Sequence, residues 1–526
     1  MKSVLTVLFA GAPMPHAFDS VFDGKSAFDR ALSWAAGVPG SVRTVVFTDG
    51  ANRAEVEESC GGRSVSFVRH DAWTNALVAK ELAAVCAEYQ ADCAVFAWAD
   101  CPFLNAALTA ELVTAHTEYL AEYTFADGYP YGLAPEVVDA GAAGIIAALG
   151  EGVQQAAGGK PAARDALFAI MSGDINAFEI ETVIAPKDYR MLRLGFSCGE
   201  KISFLACERL FAAAKGRCAL DSAEFDARAL SDLAAGDAAV LRTVPAFYNV
   251  QISARCNHDL VYVPYRLLTE RHPLDTDMAF EDFKSLVAQM AALSETAVVS
   301  LSAFGEPLLH PRFADCVREV LSYPGLSVFI ETDGTLMTEP LAAELAQAGA
   351  TRIDWAVLLD AADGALYARL HRCDEGDFAK AVAAVGLLEK HFPHRVYPQM
   401  TRMKANEAQL EPFYRFWKAA DSPSAGELII QKYNAFCGAL GDERSADLSP
   451  LVRIPCWHLR RDLTVLADGT VPPCVSQAVL GAEAGNALRE GVAAVWERLS
   501  AALAPHVGQD YPGACGACDE FYTFNF

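Results

Sequence analysis

From the start of the chain to about Leu241, short apolar runs alternate with longer stretches whose apolar residues recur at helical spacing. Val4–Phe9, Thr44–Thr48, Ser64–Val68 and Cys93–Ala97 read as strands, each followed by a helical pattern, which predicts a wound α/β sheet. A polar, glycine-bearing region around Gly158–Arg164 loosens the pattern, and alternation resumes near Ile180. Pro245 precedes a new strand, Phe247–Ile252, and a second series follows at Val298–Leu301, Ser327–Ile330, Arg352–Leu358, Arg395–Arg402 and Leu428–Gln431, with helices such as Ala279–Leu293 between. Five or six such β/α steps predict a barrel or partial barrel. After Ser449-Pro450 turn residues multiply, at Asp468-Gly469, Pro472-Pro473 and Pro512-Gly513, and the last 71 residues hold four cysteines. That is the pattern of a small module stapled by metal. The expected division is therefore 1–241, 242–449 and 450–526.

Composition narrows the class. At 526 residues the chain exceeds what one hydrophobic core usually serves, and 52% hydrophobic with 21% charged residues are globular values. The longest stretch free of charged residues, Ser3 to Phe18, is 16 residues broken by Pro13 and Pro15, too short for a membrane span. Lys2 followed by Val4–Ala10 mimics a short signal peptide, but a buried first strand has the same look and is the reading adopted. With 67 acidic against 42 basic residues the formal charge is −25, which repels phosphate backbones. Peptides or small molecules, rather than nucleic acid or membrane, are the expected partners. Fifteen cysteines, odd in number and dispersed, suit a reducing cytoplasm in which some thiols ligate metal.

Cys456 and Cys474 flank a predicted hairpin, residues 462–471, turning at Asp468-Gly469. Cys515-Gly-Ala-Cys518 brings two more thiolates to one point, because two small intervening residues let the backbone fold round a metal. Four thiolates suit a 4Fe-4S cluster or tetrahedral zinc. The pattern of Cys456, twelve residues, Gly469, four residues, Cys474, then Gly485-Asn486, Trp496 and the Cys515/Cys518 pair, resembles a SPASM domain, the auxiliary-cluster module that follows radical S-adenosylmethionine barrels. The resemblance implies a 4Fe-4S cluster on these cysteines. Since the chain carries no further cysteine after the pair, it implies one such cluster.

Upstream, residues 298–311, with Gly305-Glu306-Pro307, resemble the radical SAM segment that meets the amino group of the cofactor's methionine part. Residues 328–336, with Thr332-Asp333-Gly334, resemble the family's Thr-Asn-Gly-Thr segment, and residues 352–360 and 367–372 its next strand and helix. These six residues are the implied S-adenosylmethionine contacts. The loop after the first barrel strand departs from the family, which holds its catalytic cluster there with three cysteines. Cys256 stands at the first ligand position, but Leu260 and Val263 occupy the second and third, while Tyr262 keeps the family's aromatic. Leucine and valine offer no lone pair, so one thiolate cannot hold the cluster. Cys256 is read as a relic of the metal site, Leu260 and Val263 as an apolar plug, and His258 as out of register and solvated. Cleavage of S-adenosylmethionine is expected to be altered or lost, and its binding weak.

In the first domain Asp100 follows a buried run, where a carboxylate at a strand end can hold a divalent cation against phosphates. Its alternative role is to cap the helix near Asn105–Thr109. Asp100-Cys-Pro102 with residues 121–138 is similar to the cytidylyltransferase branch of the nucleotide-diphospho-sugar transferase fold. That family's arginine- and lysine-bearing phosphate loop is reduced here to Gly11 and Lys25, so nucleotidyl transfer is expected to be slow or absent while a nucleotide or nucleotide-sugar still binds near Asp100. The order of transferase-like sheet, radical SAM-like partial barrel and SPASM module resembles the spiro-SPASM proteins. Three functions are open on these residues: a radical enzyme, a non-radical descendant with a structural or redox-sensing cluster, and a nucleotidyl- or sugar-transferase-like protein whose barrel and cluster module recognise a peptide or partner.

Overall fold

Val4–Ala10 form β1, buried at every residue, as a central strand without polar alternation must be. In this computed structural model, which describes residues 2–157, 161–222, 225–269 and 275–523, β1 sits inside a seven-stranded sheet with β2 (Ser41–Thr48), β3 (Val65–Arg69), β4 (Cys93–Trp98), β5 (Tyr123–Asp127), β6 (Glu136–Asp139) and β7 (Ile180–Ile184). The order is β3-β2-β1-β4-β6-β5-β7, with β6 antiparallel to both of its neighbours. This is the wound α/β sheet that the alternation predicts, with one antiparallel strand added. Gly158–Lys160, in the region where the sequence pattern loosens, lie outside the described residues.

The chain divides into two units, Met1–Thr243 and Val244–Phe526. The second is built on β8 (Phe247–Val250), β9 (Ala297–Ser300), β10 (Leu326–Thr332), β11 (Ile353–Leu358), β12 (Val396–Arg402), β13 (Ile429–Lys432) and β14 (Asp462–Val465). All seven run parallel in the order β13-β12-β11-β10-β9-β8-β14 and curl into a half-barrel. Helices such as Phe280–Ser294 cross between strands and bury Phe283, Leu286, Val287 and Met290 against the sheet. The strand ends therefore gather the loops after β8, β9 and β10 at one edge, where sites form in open parallel sheets.

The predicted hairpin at residues 462–471 is corrected. The Asp468-Gly469 turn exists: Gly469 has φ +84° and the Leu466 amide donates to Thr470 O at 2.8 Å. Its first arm, however, is β14, which pairs in parallel with β8 (Asp462 opposite Phe247), while β15 (Thr470–Val471) pairs antiparallel with β16 (Gly485–Asn486). All four β14 residues are buried, a burial that a two-stranded hairpin cannot give and a sheet position can. No helix among the described residues is long and apolar enough to cross a membrane.

Candidate metal centre and barrel-end cavity

Leu260, 5% exposed, is buried in an apolar cluster with Tyr265, Leu268, Phe304, Phe436 and Leu466, and Cys256 and Val263 pack against it. The Cys256 thiol hydrogen-bonds to Tyr265 Oη at 3.2 Å, and burial pushes it up to about 11. A protonated, buried thiol is a poor nucleophile.

His258 overturns its sequence reading, because it is buried rather than solvated. The chain folds the loop back over the helix Gly364–His371: Asp259 N donates to His371 O and Val261 N to Leu370 O. That places His258 Nδ1 3.3 Å from His371 Nδ1. His371 Nε2 lies 3.0 Å from Asp360 Oδ2, which also accepts from Tyr262 Oη at 2.7 Å. Only spatial proximity across more than a hundred residues reveals this network.

Glu306 is also turned inward. Its Oε1 accepts from Leu308 N at 3.0 Å and Thr332 Oγ1 at 2.9 Å, and its Oε2 from Asp333 N at 3.0 Å. Burial first, and the Asp333 charge second, lift its carboxyl to about 8. Gly305 has φ +133°, and a Cβ there would meet Ser253 O at 2.2 Å, so only glycine fits this crossing of β9's end over the β8 loop. Pro307 is buried in the turn that follows, and Gly334 N donates to Thr332 Oγ1. Gly305, Glu306, Pro307, Thr332, Asp333 and Gly334 thus share one sheet edge. A cavity of about 450 Å³ opens there, bounded by Cys256, Glu306, Asp333, Gln399, Lys432, His458 and Glu520. Lys432 pairs with Asp519 at 2.9 Å and with Glu520.

Cys456 precedes the short helix Trp457–Arg461, Cys474 precedes Val475–Ala478, and Cys515 and Cys518 lie in and just after the turn Gly513–Ala517. Their sulfurs interact electrostatically: Cys456 with Cys474 and Cys518, and Cys474 with Cys515 and Cys518. Burial, then this mutual repulsion, push Cys456 up and Cys474 to about 12. Thiols gathered in a buried place favour ionisation only when a cation shares them, so the donor set suits a metal group. Gln477 Nε2 donates to Cys515 Sγ at 3.6 Å, and Glu520 N to Cys518 Sγ at 3.4 Å. A fifth cysteine, Cys437, joins them: its thiol donates to Cys518, which it lowers to about 7. Phe436 and Cys437 both hold positive φ, 49° and 57°. Spacing within the module did not point to Cys437; a Cys-Gly turn leading into the module was the available signal.

In the first unit Asp100 is fully buried, and the helix Ala106–Glu118 is capped instead by Asn105, whose Oδ1 accepts from Leu108 N at 2.8 Å. Arg164 donates to both Asp100 oxygens, at 2.7 and 2.5 Å, with its guanidinium 4.4 Å from the Trp98 ring. Lys25 Nζ lies 3.8 Å from Asp221. A Cβ at Gly11 would strike Trp73 Cδ1 at 2.4 Å, so that glycine admits an indole.

The family model of the SPASM iron–sulfur cluster-binding domain matches residues 456–519, the segment that carries Cys456, Cys474, Cys515 and Cys518. That segment is a SPASM domain. An uncharacterised protein of Treponema pallidum is 38% identical over 370 residues, covering 68% of this chain and 98% of its own, so the chain belongs to one family with it. Among solved structures, Streptococcus suis SuiB bound to the precursor peptide SuiA is 12% identical at TM-score 0.41, covering 68% of this chain and 83% of its own. A cytidylyltransferase from Leptospira borgpetersenii is 14% identical at TM-score 0.36, covering 45% of this chain and 95% of its own. A SPASM domain binds an iron–sulfur cluster, so residues 456–519 are an iron–sulfur module.

Proposed function

We propose that this radical SAM/SPASM protein holds one 4Fe-4S cluster on Cys456, Cys474, Cys515 and Cys518, and that its barrel edge binds a peptide or small molecule without generating a radical from S-adenosylmethionine. The observation that carries the reading is the contrast between four thiols gathered in the module and a β8 loop whose second and third ligand positions are filled by Leu260 and Val263. The match of residues 456–519 to an iron–sulfur cluster-binding domain supports iron–sulfur over zinc. When bound, the cluster supplies one-electron redox capacity beside the cavity. Cys437, donating to Cys518, tunes that thiolate or stands in for it.

Residues at the β8 loop do not fit a second cluster, because Cys256 is the one sulfur at the three ligand positions and its thiol is kept protonated by burial. The cavity offers Glu306, Asp333 and Lys432 to a polar ligand. Three functional regions follow the division 1–241, 242–449 and 450–526, in a cytoplasmic protein. Anaerobic purification should yield about four irons and as much sulfide per chain. The Cys515→Ala/Cys518→Ala variant should lose both. Stoichiometric zinc without sulfide would overturn the cluster. Incubation of reconstituted protein with dithionite and S-adenosylmethionine should give no 5′-deoxyadenosine above a no-enzyme control, and product abolished by Cys256→Ala would overturn the non-radical reading.

A second reading concerns the first unit, as a nucleotide or nucleotide-sugar binder of the transferase type. The Asp100–Arg164 pair favours it, since a guanidinium beside a strand end can pass from carboxylate to phosphate and leave Asp100 for a divalent cation. Calorimetry with cytidine nucleotides and magnesium tests this reading, and binding unchanged in Asp100→Asn would reject it.

A further inference from the structure

We propose that His258 Nε2, Cys373 Sγ and Asp377 Oδ2 form a site for one divalent transition-metal ion of the zinc class, separate from the C-terminal cluster. The three ligand atoms lie mutually within 4.8 Å. His258 Nε2 is 3.5 Å from Asp377 Oδ2, close to the roughly 3.3 Å separation that a tetrahedral ion with bonds of about 2.0–2.1 Å imposes. The elements that bring them together are the loop after β8, the turn after the helix Gly364–His371, and the first turn of the helix Gly376–His391.

The hydrogen-bond chain behind His258 sets its tautomer. Asp360 Oδ2 is an acceptor, so His371 presents Nε2–H to it across 3.0 Å, and His371 Nδ1 is then an acceptor too. His258 Nδ1, 3.3 Å away, must supply the proton. In the neutral imidazole, His258 Nε2 is then a lone pair facing Asp377 Oδ2 at 3.5 Å, a pair of acceptors that either a bound cation or a second proton on the ring must bridge. A metal-binding imidazole is oriented by an acceptor for its other ring nitrogen, and here His371, itself held by Asp360, is in that place. The charge around it agrees. Asp333 Oδ2 lies 3.6 Å from His258 Nδ1, and Asp377 gives Lys380 its other oxygen, Oδ1, at 2.7 Å, leaving Oδ2 for the ion. The Cys373 thiol makes a 3.6 Å contact to Asp374 O and lies in the field of Asp377. One imidazole, one thiolate and one carboxylate are donors that zinc accepts, and three protein ligands leave a fourth position for water or substrate.

The competing arrangement is a metal-free His258 imidazolium clasped by Asp333 and Asp377. Full-length protein, reconstituted with iron and sulfide so that the module's cysteines are occupied, is titrated with zinc and its metals counted. The expected result is one zinc per chain beyond the iron, with affinity reduced about 10- to 100-fold or more in Cys373→Ser and Asp377→Asn and no change in iron. His258→Gln should behave alike. If it fails to fold, the two variants at partly exposed positions still decide. Cobalt in place of zinc should show a thiolate charge-transfer band that disappears in Cys373→Ser and survives in Cys515→Ala/Cys518→Ala. Absence of stoichiometric zinc, or zinc binding indifferent to Cys373 and Asp377, overturns the site. Loss of iron alone would count against the module and leave this site standing.

Discussion

The Glu306 carboxylate accepts three hydrogen bonds while buried beside Asp333, and burial lifts it from 4.5 to about 8. A folded-state pKa above the unfolded one means the native protein binds the extra proton, so this group's contribution is full below about pH 4.5 and is lost as pH rises through about 8. Urea unfolding of wild type and Glu306→Gln at pH 5, 6.5 and 8 should therefore show wild type losing stability relative to the variant, by about 1–3 kcal/mol across that range. A gap independent of pH would refute the assignment. The resemblance to radical SAM segments, and not residue identity by itself, led to the expectation of Glu306 at a strand end and of Leu260 and Val263 in the place of ligands. It could not place His258 or Cys437, because the partners of His258 in β11's following loop and helix, and those of Cys437 in the C-terminal turn, are remote in the chain.

Strands were legible wherever an apolar run was bounded by turn residues. The predicted Val298–Leu301, Arg352–Leu358 and Arg395–Arg402 correspond to β9, β11 and β12 within a residue or so at either end. The pairing of β14 was not legible, since Asp462–Val465 followed by Asp468-Gly469 carries a hairpin's local signal and the preference for β8 lies in a free sheet edge far away in sequence. The consequence is that the C-terminal module supplies part of the barrel sheet. Leu463, fully buried, should cost about 2–5 kcal/mol when replaced by alanine, measured by chemical denaturation of the iron-bound protein. Removing residues 450–526 should bare the β8 edge and send the shortened chain into aggregates, scored by sedimentation. A soluble, monomeric truncated barrel would contradict the structural role of β14.

Across the whole molecule the division falls between Thr243 and Val244, close to the break that Pro245 marks in the pattern. Residues 1–243 expressed alone should unfold in one cooperative transition and carry no iron, while 244–526 should retain all of it. Iron on the first fragment, or a first fragment without a cooperative melt, would reject that division. Length, alternation and cysteine spacing by themselves determined two β/α series followed by a cysteine-bearing module, because hydrophobic periodicity and turn chemistry act between residues close in the chain. The tertiary structure alone decided what those parts do to one another: that β14 closes onto β8, that Arg164 meets Asp100, that Cys437 joins the module's thiols, and that His258 is buried against His371 and Asp377. Each depends on a contact between distant segments, whose partner is chosen by the remaining unsatisfied edge, charge or lone pair after the local elements have formed, and no local pattern encodes that choice.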